Sequence, residues 1–340
     1  MRLLVLGGTV FVSHAVAAAA VARGHRVTCA ARGVSGSVPV GAELVRVDRD
    51  QPDGLEPLDG RTFDAVVDVE SLSFTRVRRA LAALGPGAGH WTYVSTSSVY
   101  ADNETPGQRA GAAPLLDPAP DGADETDRGQ YGPLKVACEN AVRSAVGERA
   151  FVCRPGLIVG PGDWSDRFGY WPARVSLGGR FLAPGRAENE VQYVDVRDCA
   201  AWIVTAAEQG LVGTLDAMCP AVRWGDWLTD LSTAVGSAGE PVWVQQDFLV
   251  EHGVEPWMGP GSLPMWLPIP EYAGFMTRDV SESLTAGLRI RPLQDTAAAS
   301  LAWERELGLD RERRSGITRE REAELLRLWA DRSGPATPSC

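Results

Sequence analysis

Lysine is almost missing from this chain. Of 33 lysines and arginines in 340 residues, one is lysine, Lys135, and the other 32 (33 − 1) are arginine. Basic blocks are missing too, and the formal charge is −11. That balance argues against a nucleic-acid or anionic-membrane surface and suits simple solubility. No apolar run approaches the roughly 18 residues of a membrane span. The opening "MRLLVLGGTV" is apolar for only a few residues before its glycines, too short for a signal peptide. The cysteines Cys29, Cys138, Cys153, Cys199, Cys219 and Cys340 include no CxxC pair, and the histidines do not cluster. Neither a metal site nor a disulfide framework is expected, and reduced thiols point to the cytoplasm. The length and the 44% hydrophobic content suit one large domain or two smaller ones.

The first half alternates strand-like and helix-like runs. Strands are expected at 3–7, 26–31, 42–48, 63–69, 90–96 and 150–155, and helices at 11–24, 73–83 and 131–146. Strands that are apolar on both faces and separated by helices predict an α/β fold, a doubly wound parallel sheet of the Rossmann type. Residues 101–130, rich in Gly, Pro, Ala and Asp, read as a long loop. Beyond residue 160 the pattern predicts a helix at 195–210, a strand at 214–218 and then shorter elements. A Pro/Trp-rich loop is expected at 255–272, a charged helix at 316–331 and a frayed tail "SGPATPSC".

The stretch "VLGGTVFVS" (5–13) joins the first strand to the first helix. Glycines there let the backbone approach a pyrophosphate, and a helix N-terminus offers it free N–H groups. A Gly-Gly pair after a strand also marks an ordinary turn. Val10 and Ser13 stand where the three-glycine fingerprint has glycine, and Ser13 is small enough to pack closely. No acid ends the second strand, which reads "CAARGVSGS". Arg32, followed by Ser35, suits a 2′-phosphate, so NADP is preferred and NAD remains the alternative. Asp48 ends the third strand, placed to accept from an adenine amino group.

The lone lysine lies four residues after a tyrosine, in "YGPLK" (131–135). On a helix the two side chains share a face, one turn apart. An ammonium there favours the tyrosinate and fits Tyr131 for proton transfer at a substrate oxygen. With six tyrosines in the chain, chance would put the only lysine at this spacing about 2% of the time. "VSTSSVY" (94–100) ends the fifth strand, where a hydroxyl is placed to orient a substrate carbonyl.

Taken together, "GGTVFVS", "VDRD" (47–50), "VSTSSVY", "YGPLK", "RPGLIVGPGD" (154–163) and "VQYVDVRD" (191–198) resemble the extended short-chain dehydrogenase/reductase superfamily. The likeness is to its NAD-dependent epimerase/dehydratase group and covers roughly residues 1–305. It implies a catalytic trio of Thr96, Tyr131 and Lys135, Thr96 lying four before Tyr100 and flanked by Ser95 and Ser97. It also implies cofactor contacts from Gly7, Gly8, Thr9, Phe11, Val12, Arg32, Ser35, Asp48, Arg49, Asp68, Ser95, Tyr131, Lys135, Pro155, Gly156 and Leu157. Asp195 is expected to start a helix near the domain junction.

Two departures bear on function. Sugar-nucleotide dehydratases of this group carry an Asp–Glu pair where this chain has Ser97 and Ser98, so elimination by that route is not expected. Asp68 and Glu70 put two carboxylates near a phosphate-bearing cofactor, and nothing in the sequence accounts for them unless they point away.

The resemblance places substrate binding in a smaller, mostly C-terminal region. The expected division is 1–160 with about 190–218 for the dinucleotide, about 161–189 with 219–310 for substrate, and 311–340 as helix and tail. Ser97, Trp164, Tyr170, Trp171, Trp257 and Trp266 are the substrate candidates. The aromatics either line an apolar pocket or staple a C-terminal core. The expected activity is an NADP-dependent reductase or dehydrogenase acting on a carbonyl or alcohol of a small molecule. The alternatives are an epimerase that oxidises and re-reduces one carbon, or a binding protein that keeps the fold without catalysis. No nucleic-acid or membrane partner is expected, and relatives suggest a homodimer through helices that flank the sheet.

Overall fold

Leu3 and Val5 turn to one side of the first strand, Leu4 and Leu6 to the other, and all four are buried. Covering such a side chain contributes about 1.5–3 kcal/mol, so this strand needs a layer on each face. It is β1 (Arg2–Leu6), inside a seven-stranded sheet. The others are β2 (Arg26–Ala31), β3 (Glu43–Arg46), β4 (Ala65–Asp68), β5 (Trp91–Val94), β6 (Ala150–Pro155) and the strand Gly213–Ala217. Every pairing is parallel. From one edge the order is Gly213–Ala217, β6, β5, β4, β1, β2, β3. The computed structural model describes residues 1–70 and 72–333. They form two compact units, the first built from Met1–Ile158, Tyr193–Pro220 and Arg278–Ile290.

Helix α1 (Phe11–Ala22) and the helix Val196–Gln209 cover one face of the sheet; α2 (Phe74–Leu84) and α3 (Tyr131–Val146) cover the other. Buried Val16, Ala17 and Ala20 of α1 leave little bulk against Val196–Gln209. Arg23 closes that contact, donating to Glu208 at 2.7 Å. Asp195 caps Val196–Gln209 by accepting from Arg197 N at 2.8 Å. The strand order reverses between β1 and β4, which opens a crevice at their C-terminal ends.

Gly7 and Gly8 make the turn into that crevice with φ of +122° and +100°, a region glycine alone enters easily. A Cβ on Gly8 would lie 2.4 Å from Cys29 Sγ on β2. Gly8→Ala is therefore expected to cost about 2 kcal/mol or more and to lower Tm by several degrees. A thermal melt measures it, and Cys29→Ala in the same chain should restore part of the loss. An unchanged Tm would mean that the turn relaxes freely.

The second unit comprises Val159–Gln192, Ala221–Thr277 and the chain from Arg291. Strands Arg180–Pro184 and Glu240–Val244 pair in parallel. Helices Tyr170–Ser176, Trp224–Val235 and Leu293–Leu307 pack on one another. Trp171, Trp224 and Trp227 meet there at ring distances of 5.1–6.1 Å. Two expectations change in this unit. The elements after 218 are not all short, since Trp224–Val235 has 12 residues and Leu293–Leu307 has 15. The loop at 255–272 holds a parallel pair, Glu255–Trp257 with Ser262–Pro264. The charged helix runs Arg319–Ser333, and the expected tail beyond it lies outside the described residues. No helix among the described residues is long and apolar enough to cross a membrane.

Candidate active site

Asp127 opens the turn before α3, its carboxylate accepting from Gly129 N at 2.8 Å. Tyr131 is then the first residue of the helix. Pro133 falls in the first turn, where a missing N–H costs nothing. Gly132 packs tightly: a Cβ there would lie 2.4 Å from Ser98 O. That close approach sets the start of α3 against the Thr96–Ser98 segment, so the "YG" of the motif has a packing reason as well as a chemical one. Thr96 leaves β5 with extended backbone and caps a short turn, accepting from Ser98 N at 3.1 Å.

Lys135, one helical turn after Tyr131, is buried. Its Nζ donates to Glu70 O and Val94 O, both at 2.7 Å, and lies 4.3 Å from the centre of the Tyr93 ring. Burial brings the ammonium down to about 8, although Asp68, Glu70 and Glu139 pull it upward. Lys135 thus reaches the C-terminal ends of β4 and β5, and the start of α3 packs against the Thr96–Ser98 segment.

Glu139, a further turn along α3, was not singled out in the sequence. It is wholly buried and holds Arg154 in two bonds of 2.6 and 2.9 Å. Ser95 Oγ also donates to it, at 2.6 Å. Burial pushes the Glu139 carboxyl upward, but Arg154, Ser95 and Arg143 outweigh it and hold the group below its usual range. The Ser95 hydroxyl and the Arg154 guanidinium are therefore engaged in fastening α3 to β5 and β6. Arg154 also donates to Tyr100 Oη at 3.1 Å. Past β6, Gly156 N donates to Ala217 O at 3.2 Å, and Leu157 O accepts from Val194 N at 2.8 Å. These bonds fix the backbone of Pro155–Leu157.

The crevice after β1 and β4 is a cleft of about 250 Å³. Gly7, Thr9, Arg32, Ser35, Asp48 and Arg49 line it, together with Val10, Ser13, Asp50, Glu70 and Arg76. Gly8, Phe11 and Val12 belong to the turn without lining the cleft. The first turn of α1 has no side-chain cap and no acid. Arg32 is half exposed and only 4.0 Å from Asp50, a loose pairing.

The two unexplained carboxylates are accounted for. Arg49 donates to Asp68 and Glu70, each at 2.9 Å. Arg76 adds a longer bond to Glu70 at 3.5 Å while holding Asp50 at 2.7 and 2.8 Å. Asp68 is fully buried beneath the cleft, and burial raises its carboxyl despite Arg49. Arg49 is thus spent on neutralising these acids, and Arg76, which sequence reading missed, is the third arginine of the cleft.

The aromatic candidates divide. Tyr170, Trp171 and Trp266 are buried in the second unit, and Trp171 donates its indole N–H to Pro264 O at 3.0 Å. Those three staple a core. Trp164 is 56% exposed under Arg314, and Trp257 lies 4.9 Å from the Arg167 guanidinium. Ser97 is buried in the first unit, behind Thr96.

A doubly wound sheet with a glycine turn, a Tyr-x-x-x-Lys helix and a Thr after β5 defines an NAD(P)-dependent enzyme of the extended short-chain dehydrogenase/reductase type. The chain belongs to the NAD dependent epimerase/dehydratase family, whose model matches residues 3–215. Solved structures share the fold. UDP-N-acetylglucosamine 4-epimerase from Bacillus cereus superposes with a TM-score of 0.66 at 16% identity, over 93% of this chain and 100% of that one. The Bordetella bronchiseptica enzyme WbmH in complex with NAD+ gives 0.64 at 16%, over 90% and 99%. UDP-glucose 4-epimerase from Thermus thermophilus, in complex with NAD, gives 0.63 at 18%, also over 90% and 99%. No curated protein sequence matches the chain.

Proposed function

We propose that this protein transfers hydride between a nicotinamide dinucleotide, preferentially NADP, and a carbonyl or alcohol carbon of a small molecule. The observation that carries the reading is the buried Lys135 ammonium, one helical turn after Tyr131 and bonded to Val94 O at the end of β5. In this reading Tyr131 gives a proton to the substrate oxygen, or takes one from it, as hydride arrives or leaves. Lys135 makes the tyrosinate easier to form. Thr96 orients the oxygen. Ser97 and Ser98 supply no carboxyl for removing water, so the same trio serves oxidation and reduction rather than elimination.

The residues of the cleft fit a dinucleotide. The Gly7–Gly8 turn packs closely on Ser13 and Cys29, where a Cβ would clash, and the uncapped start of α1 offers N–H groups to a pyrophosphate. Asp48 is assigned to the adenine amino group, and Arg32 with Ser35 to the 2′-phosphate. Bound there, the nicotinamide supplies or accepts the hydride. The second unit is assigned to substrate binding, with Trp164 and Trp257 as the aromatics left to serve it.

Arg32 gives the direct test of cofactor choice. Arg32→Ala is expected to weaken NADPH binding by roughly 10–100-fold, the loss of a charge-assisted contact, and to leave NADH nearly unchanged. Fluorescence titration measures both. Equal affinities before and after the change would sink the NADP preference.

Epimerisation is the second reading, favoured by the family and by the sugar-nucleotide 4-epimerases named above. Screening ketones, aldehydes, secondary alcohols and UDP-sugars with NADPH or NADP+ separates the two. A reductase consumes cofactor in proportion to product, whereas an epimerase interconverts isomers with no net consumption.

A further inference from the structure

Tyr93 of β5 is wholly buried, and nothing so far gives it a role in the chemistry. Its ring lies 4.3 Å from Lys135 Nζ. Its hydroxyl reaches Glu70 O at 3.5 Å, the same carbonyl that accepts from Lys135 at 2.7 Å. Two walls of the Lys135 pocket are thus backbone carbonyls, Glu70 O and Val94 O, and a third is an aromatic face. Carbonyls accept from an ammonium more strongly than from a neutral amine, and the ring face adds to that preference. The negative face of an aromatic ring attracts only the cation, and most strongly where water is excluded.

Other charges face Lys135 as well. They are Asp68 from β4, Glu70 after it, and Cys138 and Glu139 from α3 itself; Tyr131 acts on the Tyr93 ring. The carboxylates have arginines of their own: Arg49 holds Asp68 and Glu70, and Arg154 holds Glu139. Their pull on Lys135 is offset by those cations. Among the described residues, no other cation stands over the Tyr93 ring. Burial also pushes the Tyr93 phenol well above its usual range, so the ring stays neutral.

We propose that Tyr93 is a positioning residue for the reaction: its ring face, with Glu70 O and Val94 O, holds Lys135 as a cation in one place within a pocket that would otherwise disfavour the charge. The role rests on the reading of Lys135 as the partner of Tyr131. It makes the third residue before the Thr96 hydroxyl part of the site, although it touches neither substrate nor cofactor.

The single lysine makes this directly measurable. Protein grown on 13Cε-lysine has one lysine ε-carbon resonance, and its titration reads the Lys135 ammonium without any assay of activity. The midpoint is expected near 8 in the unaltered chain and within a few tenths of that in Tyr93→Phe, which keeps the ring. Tyr93→Leu, and 3,4,5-trifluorophenylalanine placed at the same position, should lower it by about one pH unit. The fluorinated ring keeps the shape and cancels the negative face, so it serves even if the leucine variant fails to fold. The high-pH limb of the rate profile should move down with the midpoint. A midpoint unmoved by the fluorinated ring, or one that falls equally in Tyr93→Phe, overturns the proposal for Tyr93 alone. A midpoint that moves while the rate profile stays put overturns the part given to Lys135 in the reaction, and the part given to Tyr93 with it.

Discussion

Tyr131→Phe should bind NADPH as tightly as the unaltered chain and turn over about 10²- to 10⁴-fold more slowly. The change removes one oxygen from the first residue of α3. Gly132 against Ser98 O and the Asp127 turn position the helix start. Phenylalanine fills the same half-buried space. What disappears is the only group in this reading that exchanges a proton with the substrate oxygen. The loss should therefore fall on kcat, with KM for cofactor little changed. Stopped-flow measurement of hydride transfer checks it on the bound complex. Retention of full activity would remove Tyr131 from the mechanism and leave the fold without its assigned acid.

Lys135→Arg should be nearly as damaging although it conserves charge. Lysine fits because its compact ammonium meets two carbonyls at 2.7 Å and one ring face within a buried pocket. A guanidinium is longer, planar and always charged. It must displace either the Tyr93 ring or the Glu70 backbone. Turnover is expected to drop by about 100-fold or more, with weaker cofactor binding and a lower Tm. Lys135→Met, which leaves the carbonyls without the ammonium, should lose turnover to a similar degree. Near-normal kinetics for the arginine variant would mean that the lone lysine reflects only a bias of composition.

The shifted ammonium also gives stability a pH dependence with a definite sign. Its value in the fold is about 8 against an ordinary 10.5. Between those two values the unfolded chain keeps a proton that the folded chain has released. This site alone therefore makes the fold more stable as pH rises from about 8 to 10.5, and the burial penalty is present in full below about 8. Lys135→Met should abolish that part of the slope in urea unfolding measured across the range.

How much of this was legible in the sequence depended on distance along the chain. The strands at 26–31 and 150–155 and the helix at 131–146 have their expected bounds, because each is a short run with its own punctuation. Tyr131, Lys135 and Thr96 were legible as spacing. Glu139 was not, since it lies on α3 and its partner Arg154 comes from β6. Asp68 and Glu70 made no sense until Arg49, some twenty residues earlier, folded over them. The second unit was the least readable. Its two parallel strands, 180–184 and 240–244, come from segments about sixty residues apart, and its tryptophans are buried, where periodicity alone cannot tell core from pocket.

The burial of Lys135, 2% exposed, has a practical side. Amine-directed reagents that meet the folded chain find its one lysine closed off. The hidden amine then becomes a clock. It is acylated only when the first unit opens, so the rate of its modification under gentle conditions reports how often that unit comes apart.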